Sequence, residues 1–332
     1  MTTPLTNPAV VTRGLHKTFG RGPKAVEAVR GSDLAVATGE IFGFLGPNGA
    51  GKTTTLRMFT TLLPIDSGEA RVAGVDVARH PTDVRRRIGY VSQLGGADLS
   101  ATGRENLVLQ GQLYGASTTE ARRRAAELID LLELADLADR FARTYSGGQR
   151  RRLEVALGIM HRPDVLFLDE PTAGLDPQNR ANLWEQIRAL RASGTTIFLT
   201  THYLEEADAL ADRLAIIDHG QIVAEGTAAE LKSRLAATTI VIEADLDENA
   251  LQALRATLAT QPTVRSTRLD GRVIRVEVGD GAAALPPIAT LIHSRGIPLR
   301  SIALAQPSLD DVFLHQTGRS LRDAGASQEI AR

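Results

Sequence analysis

The stretch from Gly46 to Thr53 constrains this chain more than any other, and it reads Gly-Pro-Asn-Gly-Ala-Gly-Lys-Thr. It fits the phosphate-binding loop pattern G-x-x-x-x-G-K-[ST] at every fixed position. The apolar run Ile41–Leu45 before it predicts a buried strand, and Thr54–Phe59 after it predicts a helix. A loop in that setting turns its backbone N–H groups and a positive helix end toward one anion. The sequence therefore predicts a nucleoside triphosphate site in an α/β fold.

The residue types of this loop suggest a separate task for each member. Lys52 can supply a positive charge for the β- and γ-phosphates, and the hydroxyl of Thr53 can ligate Mg²⁺. A glycine-rich turn with a chance Lys-Thr pair is the alternative, and the flanking strand and helix argue against it. The other ATP contacts expected in and just after the loop are Gly46, Pro47, Asn48, Gly49, Ala50, Gly51 and Thr54.

Composition narrows the classes of protein that could carry such a loop. The chain has 332 residues, which predicts two domains, and its formal net charge of -1 gives no support to a nucleic-acid binder. It contains no cysteine, which excludes disulfides and thiolate chemistry. No apolar run approaches the ~20 residues that span a bilayer, so we expect contact with a membrane only through a partner.

The order of predicted elements suggests how the chain is divided. Strands and helices alternate over residues 9–235, which indicates a mainly parallel core sheet covered by helices, with an antiparallel subdomain at its edge. Residues 95–162 of this domain are predicted to form a helical subdomain. Residues 236–317 follow the order strand-helix-strand-strand-helix-strand, which predicts a small ferredoxin-like α+β domain. The tail, 318–332, is polar and predicted to be disordered.

Some local predictions rest on short patterns. Lys24–Val29 and Asp33–Val36 are predicted as separate strands, and Val72–Val75 as another. A helix is predicted from Pro286 to Arg295.

An acidic pair follows the apolar run Val165–Leu168, at the point where the predicted strand ends. Open α/β sheets bind ligands at the carboxyl ends of their strands. Asp169 is therefore placed to hold Mg²⁺, and Glu170 is placed to polarise an attacking water. Such a pair can also cap a helix, but the phosphate loop upstream favours the catalytic interpretation.

Two further polar side chains follow predicted strands at the same edge of the sheet. Gln93 comes just after Gly89–Val91 and can reach the metal or its water through its amide oxygen; a polar residue in a surface turn is the alternative. His202 follows Phe198–Thr201 and could sense the γ-phosphate and hold the water; a structural histidine is the alternative.

The run Ser146-Gly147-Gly148-Gln149 stands at the start of a predicted helix. Two glycines after a serine at a helix start form a second anion site by the same physics as the first. One chain needs only one triphosphate cradle, so the second site makes sense if it faces the nucleotide of another subunit. This predicts a head-to-tail homodimer with ATP between the two loops.

In their order and spacing, these elements, with Ala173–Asp176, resemble those of the ATP-binding cassette ATPases. The resemblance covers about residues 9–235. It implies that Phe19 stacks on adenine, that Gln93 couples the site to a membrane partner, and that His202 is the switch histidine. Tyr145 replaces the usual Leu of the signature, and Ala173 replaces the usual Ser, but neither change removes a ligand that the mechanism requires.

The same resemblance implies a role in the dimer for residues outside the loop. Asp176 would lie at the dimer seam, and the run Ser146–Gln149 would act in trans, with Ser146 and Gly148 capping the γ-phosphate held by the opposite subunit. The catalytic residues that it implies are Glu170, His202 and Lys52. The metal ligands, for Mg²⁺, would be Thr53, Gln93 and Asp169.

A narrower resemblance concerns the segments 201–208 and 307–313, which look like those of the daunorubicin/doxorubicin-resistance type of exporter ATPase. It implies an ATP-hydrolysing homodimer on the cytoplasmic side of the membrane, which drives export of a hydrophobic drug-like compound through a separate permease. For 307–313 a plain amphipathic helix is the alternative. For the whole chain the alternative is a soluble cassette ATPase acting on nucleic acid or ribosomes. A further hypothesis is that residues 236–317 sense a small ligand, which would be compatible with the transporter hypothesis.

Overall fold

The computed structural model describes residues 8–235, 238–305 and 307–321. The chain divides into two compact units, of which one extends to Ala228 and the other spans Ala229–Ser320. Of the predicted disordered tail, residues 322–332 lie outside the described residues.

The centre of the first unit is a six-stranded sheet in the order β10-β9-β3-β8-β7-β6. Every pair is parallel except β9 with β10, which forms an antiparallel hairpin at one edge. Strands β3, β7 and β8 are buried along their whole length, since helices cover both faces. The mainly parallel core sheet is therefore confirmed. Its strands are β3 (Ile41–Leu45), β6 (Ile88–Val91), β7 (Val165–Asp169), β8 (Thr196–Thr201), β9 (Arg213–Asp218) and β10 (Gln221–Gly226).

An antiparallel sheet of four strands, in the order β2-β1-β4-β5, forms the edge subdomain. Residues 26–36 form one strand, so the prediction of separate strands at Lys24–Val29 and Asp33–Val36 is wrong. The predicted strand Val72–Val75 is also wrong, because Ala73 and Gly74 turn the chain with φ values of 50° and 76°. The strands are β1 (Val10–Phe19), β2 (Val26–Val36), β4 (Ser67–Val72) and β5 (Val75–Asp76).

Helices cover the parallel sheet and build the segment between β6 and β7. Three of them begin at capping boxes, in which the side chains of Thr102, Ser117 and Ser146 accept a hydrogen bond from the third residue of the helix. The helices are α1 (Lys52–Phe59), α2 (Pro81–Arg87), α3 (Gly103–Leu113), α4 (Thr118–Leu131), α5 (Gly147–Gly158), α6 (Pro177–Ala192) and α7 (Leu204–Leu210). A further short helix, α8 (Ala228–Ser233), stands where the second unit begins.

An aromatic cluster fixes α1 on the parallel sheet. The ring of Phe198 on β8 lies 5.5–5.7 Å from the rings of Phe42, Phe44, Phe59 and Phe167. Aromatic pairs at this separation contribute about 0.5–1.5 kcal/mol each beyond the area that they bury. Phe59 is the last residue of α1, so this packing holds the helix that follows the phosphate loop.

The second unit has the order β11-α9-β12-β13-α10-β14, followed by α11. Its four strands are antiparallel in the order β12-β13-β11-β14, which is the ferredoxin-like arrangement. The predicted helix at Pro286 begins earlier, at Gly281, because Asp280 caps it and both prolines are accommodated inside. The elements are β11 (Thr238–Ala244), α9 (Glu248–Ala259), β12 (Val264–Asp270), β13 (Val273–Val278), α10 (Gly281–Ser294), β14 (Leu299–Ala305) and α11 (Leu309–Thr317). Across the described parts of the chain, every helix is too short or too polar to cross a bilayer.

Candidate functional site

The phosphate loop connects β3 to α1 and depends on glycine at its two ends. Gly51 has φ +106° and caps α1, and a Cβ added there would lie 2.3 Å from the carbonyl oxygen of Ala28. A Cβ on Gly46 would lie 2.3 Å from the carbonyl oxygen of Ile217. Because both contacts are with backbone atoms, a larger residue at either position would force the loop to move.

The ammonium group of Lys52 lies in the middle of this loop. Its Nζ donates hydrogen bonds to the carbonyl oxygens of Gly46 at 2.8 Å and Pro47 at 3.0 Å, and it lies 3.4 Å from Oε1 of Glu170. Burial lowers the pKa of Lys52, and the nearby charge of Glu170 partly opposes that effect. Lys52 thus joins the loop to the end of β7.

Glu170 is the point at which the predicted catalytic side chains meet. Its Oε1 lies 3.2 Å from Nδ1 of His202, and its Oε2 accepts a hydrogen bond from Nε2 of Gln93 at 3.3 Å. Lys52 lies on the same carboxylate. The expected convergence at the carboxyl edge of the sheet is therefore present, although Gln93 turns its amide nitrogen, not its oxygen, toward the glutamate.

The backbone and the protonation of Glu170 are both controlled by its surroundings. Its φ is +47°, a left-handed conformation that is unusual for a residue with a side chain, and its N–H donates to Thr200. Burial raises the pKa of Glu170, but the closeness of His202 and the charge of Lys52 outweigh burial, so the pKa lies below its usual value. The carboxylate is therefore ionised at neutral pH, as a base must be.

The candidate metal ligands meet beside this carboxylate. Oγ1 of Thr53 donates to Oδ1 of Asp169 at 3.1 Å, and Oγ1 of Thr200 donates to the same oxygen at 2.6 Å. These are hard oxygen donors, which suit Mg²⁺. Among the residues that the structure describes, no group of three or more His, Asp or Glu side chains could hold a metal alone.

The run Ser146–Gln149 forms the exposed start of α5. Ser146 Oγ accepts from the N–H of Gln149 at 3.3 Å, and Gln149 Oε1 accepts from the N–H of Ser146 at 2.9 Å. Ser146 and Gly147 are exposed, whereas Gly148 is buried against Asn179. The geometry leaves this helix start open to a second molecule.

Phe19 and Asp176 lie at more exposed positions. Phe19 ends β1, is 42% exposed, and pairs with Val26 of β2, the strand whose Ala28 faces Gly51 of the phosphate loop. Its ring is therefore accessible, on a strand that pairs with the one facing the loop. Asp176 caps α6, where its carboxylate accepts from the backbone N–H of Asn179 at 3.0 Å.

Sequence reasoning missed Thr200, Arg151 and Glu206. Thr200 links Asp169 to the N–H of Glu170, and Arg151 donates to backbone carbonyls beside the site. Glu206 is fully buried and accepts from Oγ1 of Thr172 at 2.7 Å. In the sequence, Arg151 and Glu206 are charged residues that lie within predicted helices. This pattern does not reveal which groups they contact.

Comparison with known proteins agrees with this geometry. A family model described as ABC transporter matches residues 29–173, and one described as ATP-binding protein DrrA1-3-like, C-terminal domain, matches residues 226–317. The chain is 45% identical over 328 residues to the daunorubicin/doxorubicin resistance ATP-binding protein DrrA of Streptomyces peucetius, which covers 97% of this chain and 98% of that protein. It is 37% identical to the linearmycin resistance ATP-binding protein LnrL of Bacillus subtilis, which covers 89% of this chain and 95% of that protein.

A solved structure of the same class is the dimeric, post-hydrolysis state of the ATP-binding cassette MJ0796 bound to ADP and Pi. It is 26% identical, has a TM-score of 0.61, and covers 66% of this chain and 98% of that one. The chain therefore belongs to the family of ABC transporter ATP-binding proteins. Within that family it carries a DrrA-like C-terminal domain and is an ATPase subunit, as the motifs indicated.

Proposed function

We propose that two copies of this chain bind ATP between them, close on it, and drive export of a hydrophobic, drug-like compound through a separate membrane permease. The dimer would be peripheral, held on the cytoplasmic side of the membrane by that permease. The observation that carries the proposal is the carboxylate of Glu170, on which Lys52, Gln93 and His202 converge within 3.2–3.4 Å.

Within one copy, this arrangement supports hydrolysis. Glu170 is ionised and placed to accept a proton from the attacking water, while His202 and Gln93 orient its carboxylate. Lys52 and the N–H groups of the loop would bind the phosphates, and Phe19 would stack on the base. Thr53 and Asp169, assisted by Gln93, would hold Mg²⁺, which stabilises the charge that develops on the phosphates.

The second half of each site would come from the partner copy. The exposed start of α5 at Ser146 and Gly147 presents a positive helix end, and it is suited to cap a γ-phosphate held by another subunit. Asp176 is exposed on the next helix and would lie at the seam. The dimeric state of MJ0796, with its bound ADP and Pi, supports the same assembly here.

The export role and its partner rest on relatives and on one surface. The names of the relatives DrrA and LnrL refer to resistance against daunorubicin, doxorubicin and linearmycin, and we extend a substrate of that kind to this chain. Next to Gln93, Leu94 is 94% exposed; Leu113, the last residue of α3, and Tyr114 after it are also exposed. Exposed apolar side chains of this kind support a protein partner. We assign residues 236–317 to an accessory domain.

The alternative, a soluble cassette ATPase acting on nucleic acid or ribosomes, has little support. The formal net charge of -1 does not favour it, and the relatives named above are resistance proteins. A strongly basic surface would be needed for tight binding to a phosphate backbone.

The replacement Glu170→Gln tests the proposal, because it removes the base but keeps the size of the side chain and one of its two acceptor oxygens. We expect ATP hydrolysis to fall at least 100-fold, about the contribution of a general base, and ATP to trap a dimer on size exclusion. Glu185→Gln, on an exposed part of α6, is the control and should turn over ATP normally. A Glu170→Gln protein that binds ATP but stays monomeric would refute the shared site.

A further inference from the structure

Arg151 is a buried cation on α5, the helix whose start carries Ser146–Gln149. It is 7% exposed, and the predicted machinery gives it no task. A guanidinium group is rarely buried unless its N–H groups are satisfied, so its partners show what it is for.

Two of its partners lie on either side of the catalytic glutamate. Nε donates to the carbonyl oxygen of Pro171 at 2.8 Å, and Nη2 donates to the carbonyl oxygen of Asp169 at 3.0 Å. Glu170 is the residue between them, and its left-handed backbone would relax without such support. Arg151 therefore holds the backbone of Glu170 from both sides.

The remaining donor group holds the loop that carries Gln93. Nη1 donates to the carbonyl oxygen of Ser92 at 2.7 Å and to Oε2 of Glu154 at 3.1 Å. Glu154, also on α5, packs against the same loop, since a Cβ on Gly95 would lie 2.2 Å from its Oε1. The arginine and its ion-pair partner together clamp residues 92–95 to the helix.

We propose that Arg151 is a positioning residue that ties the start of α5 to Glu170 and Gln93 of the same chain. This inference rests on the proposed function, in which the start of α5 contacts the ATP of the partner copy. Movement of α5 against that ATP is then transmitted to the base and to the glutamine that serve the chain's own ATP. Arg151 thereby couples the two sites of the dimer.

The planar fork of the guanidinium is what this task requires. Its three nitrogens reach three carbonyl oxygens on two segments, 169–171 and the loop at Ser92, whereas a lysine ammonium donates from a single atom. The replacement Arg151→Lys keeps the charge beside Glu154 but cannot hold both flanks of Glu170 and the Gln93 loop at once.

A matched control lies at the next position. Arg152 is also on α5, but its Nη1 donates to the carbonyl oxygens of Leu132 and Glu133, at 3.3 and 3.0 Å, away from Glu170. Arg152→Lys therefore tests the general cost of replacing an arginine that binds carbonyls on this helix.

The experiment compares ATP turnover of the full-length wild type, Arg151→Lys and Arg152→Lys. For Arg151→Lys we expect kcat to fall at least tenfold, about 1.4 kcal/mol in the barrier, while KM and the Kd for ATP stay within about twofold. Arg152→Lys should keep kcat within about twofold. In the Glu170→Gln background, Arg151→Lys should raise the ATP concentration needed to trap the dimer.

Melting temperatures separate positioning from folding, and Arg151→Gln is a second variant in case the lysine cannot be accommodated. Unchanged kcat in a folded variant, or equal losses in kcat and in ATP binding, would overturn the inference, as would unfolding of both variants. A wild-type protein that binds ATP without hydrolysing it would instead refute the proposed function. If the wild type hydrolyses ATP and Arg151→Lys has the same kcat, only the role of Arg151 is refuted, and the proposed function stands.

Discussion

The fully buried carboxyl group of Glu206 allows a quantitative prediction about stability. Its Oε1 accepts hydrogen bonds from Oγ1 of Thr172 at 2.7 Å and from Nε1 of Trp184 at 3.3 Å. It thus connects α7, which follows His202, to the segment after Glu170 and to α6. Burial raises the pKa of Glu206 above 4.5, although hydrogen bonds from its neighbours oppose the shift.

Two replacements separate the hydrogen bonds from the titration. Glu206→Ala leaves the buried hydroxyl of Thr172 and the half-buried indole N–H of Trp184 without their acceptor. We expect a loss of about 1–3 kcal/mol from Thr172 and a smaller loss from Trp184. That is a large part of the 5–15 kcal/mol that a typical protein has. Glu206→Gln keeps the acceptor oxygen and has no proton to release, so at neutral pH it should be more stable than Glu206→Ala. Its amide N–H groups take the place of Oε2, which is buried without a hydrogen-bond partner.

The pH dependence has a definite sign. Above pH 4.5 the unfolded chain releases the proton of Glu206, whereas the folded protein keeps it until its raised pKa is reached. Over that window the folded state binds more protons, so this group makes stability fall as pH rises. The stability of Glu206→Gln does not fall in this way, because glutamine does not titrate. The difference in stability between Glu206→Gln and the wild type should therefore grow in favour of the variant from pH 4.5 to the raised pKa of Glu206, and stay constant above it.

The assay is urea unfolding at a series of pH values from 4.5 upward. Trp184 is the one tryptophan of the sequence, so its fluorescence reports the unit that contains Glu206. The reasoning is refuted if Glu206→Ala is as stable as Glu206→Gln. It is also refuted if wild type and Glu206→Gln show the same pH dependence.

Two other predictions concern the start of α5 and the second unit. A Cβ on Gly148 would lie 2.5 Å from Oδ1 of Asn179, so Gly148→Ala should cost about 1–3 kcal/mol by overpacking. Gly147→Ala, whose Cβ would meet only a side-chain atom at 4.0 Å, should keep the wild-type melting temperature. Deletion of residues 236–332 should leave basal ATP hydrolysis; a folded, ATP-binding remnant without turnover would contradict this.

Much of the fold could be predicted because its signals are local. The strand before Gly46 and the strand before Asp169 are continuous apolar runs, and both are fully buried in the parallel sheet. The antiparallel second unit could be predicted because its elements alternate in a recognisable order around a tight turn at Gly271.

The errors occurred where local signals conflict with tertiary pairing. β2 continues through Gly31, which has φ +72°, because β1 pairs with the strand on both sides of the irregularity. Val72–Val75 is predicted as a strand because its residues are mostly apolar, and that pattern carries no information about the positive φ of Ala73 and Gly74. The helix predicted to begin at Pro286 begins at Gly281, because the side chain of Asp280 caps it there.

The candidate site divides in the same way. Asp169, Glu170 and His202 could be placed together from the rule that ligands bind at the carboxyl ends of parallel strands. Arg151 could not, because its partners are backbone carbonyls, which carry no sequence signal. Thr200 was missed because a threonine near the end of a buried strand is common and its hydroxyl reveals a role only when its neighbours are known.

If Glu170 is the base that we propose, its protonation links nucleotide binding to catalysis. Burial raises its pKa, and the closeness of His202 and the charge of Lys52 hold it down. Phosphates that draw Lys52 toward themselves weaken the last of these effects, so the pKa of Glu170 should rise toward the working pH, where a base is most effective. The acid limb of kcat, which reports the ATP-bound protein, should therefore lie at higher pH than the titration of Glu170 in ATP-free protein. Coincidence of the two values would show that Lys52 does not control the base.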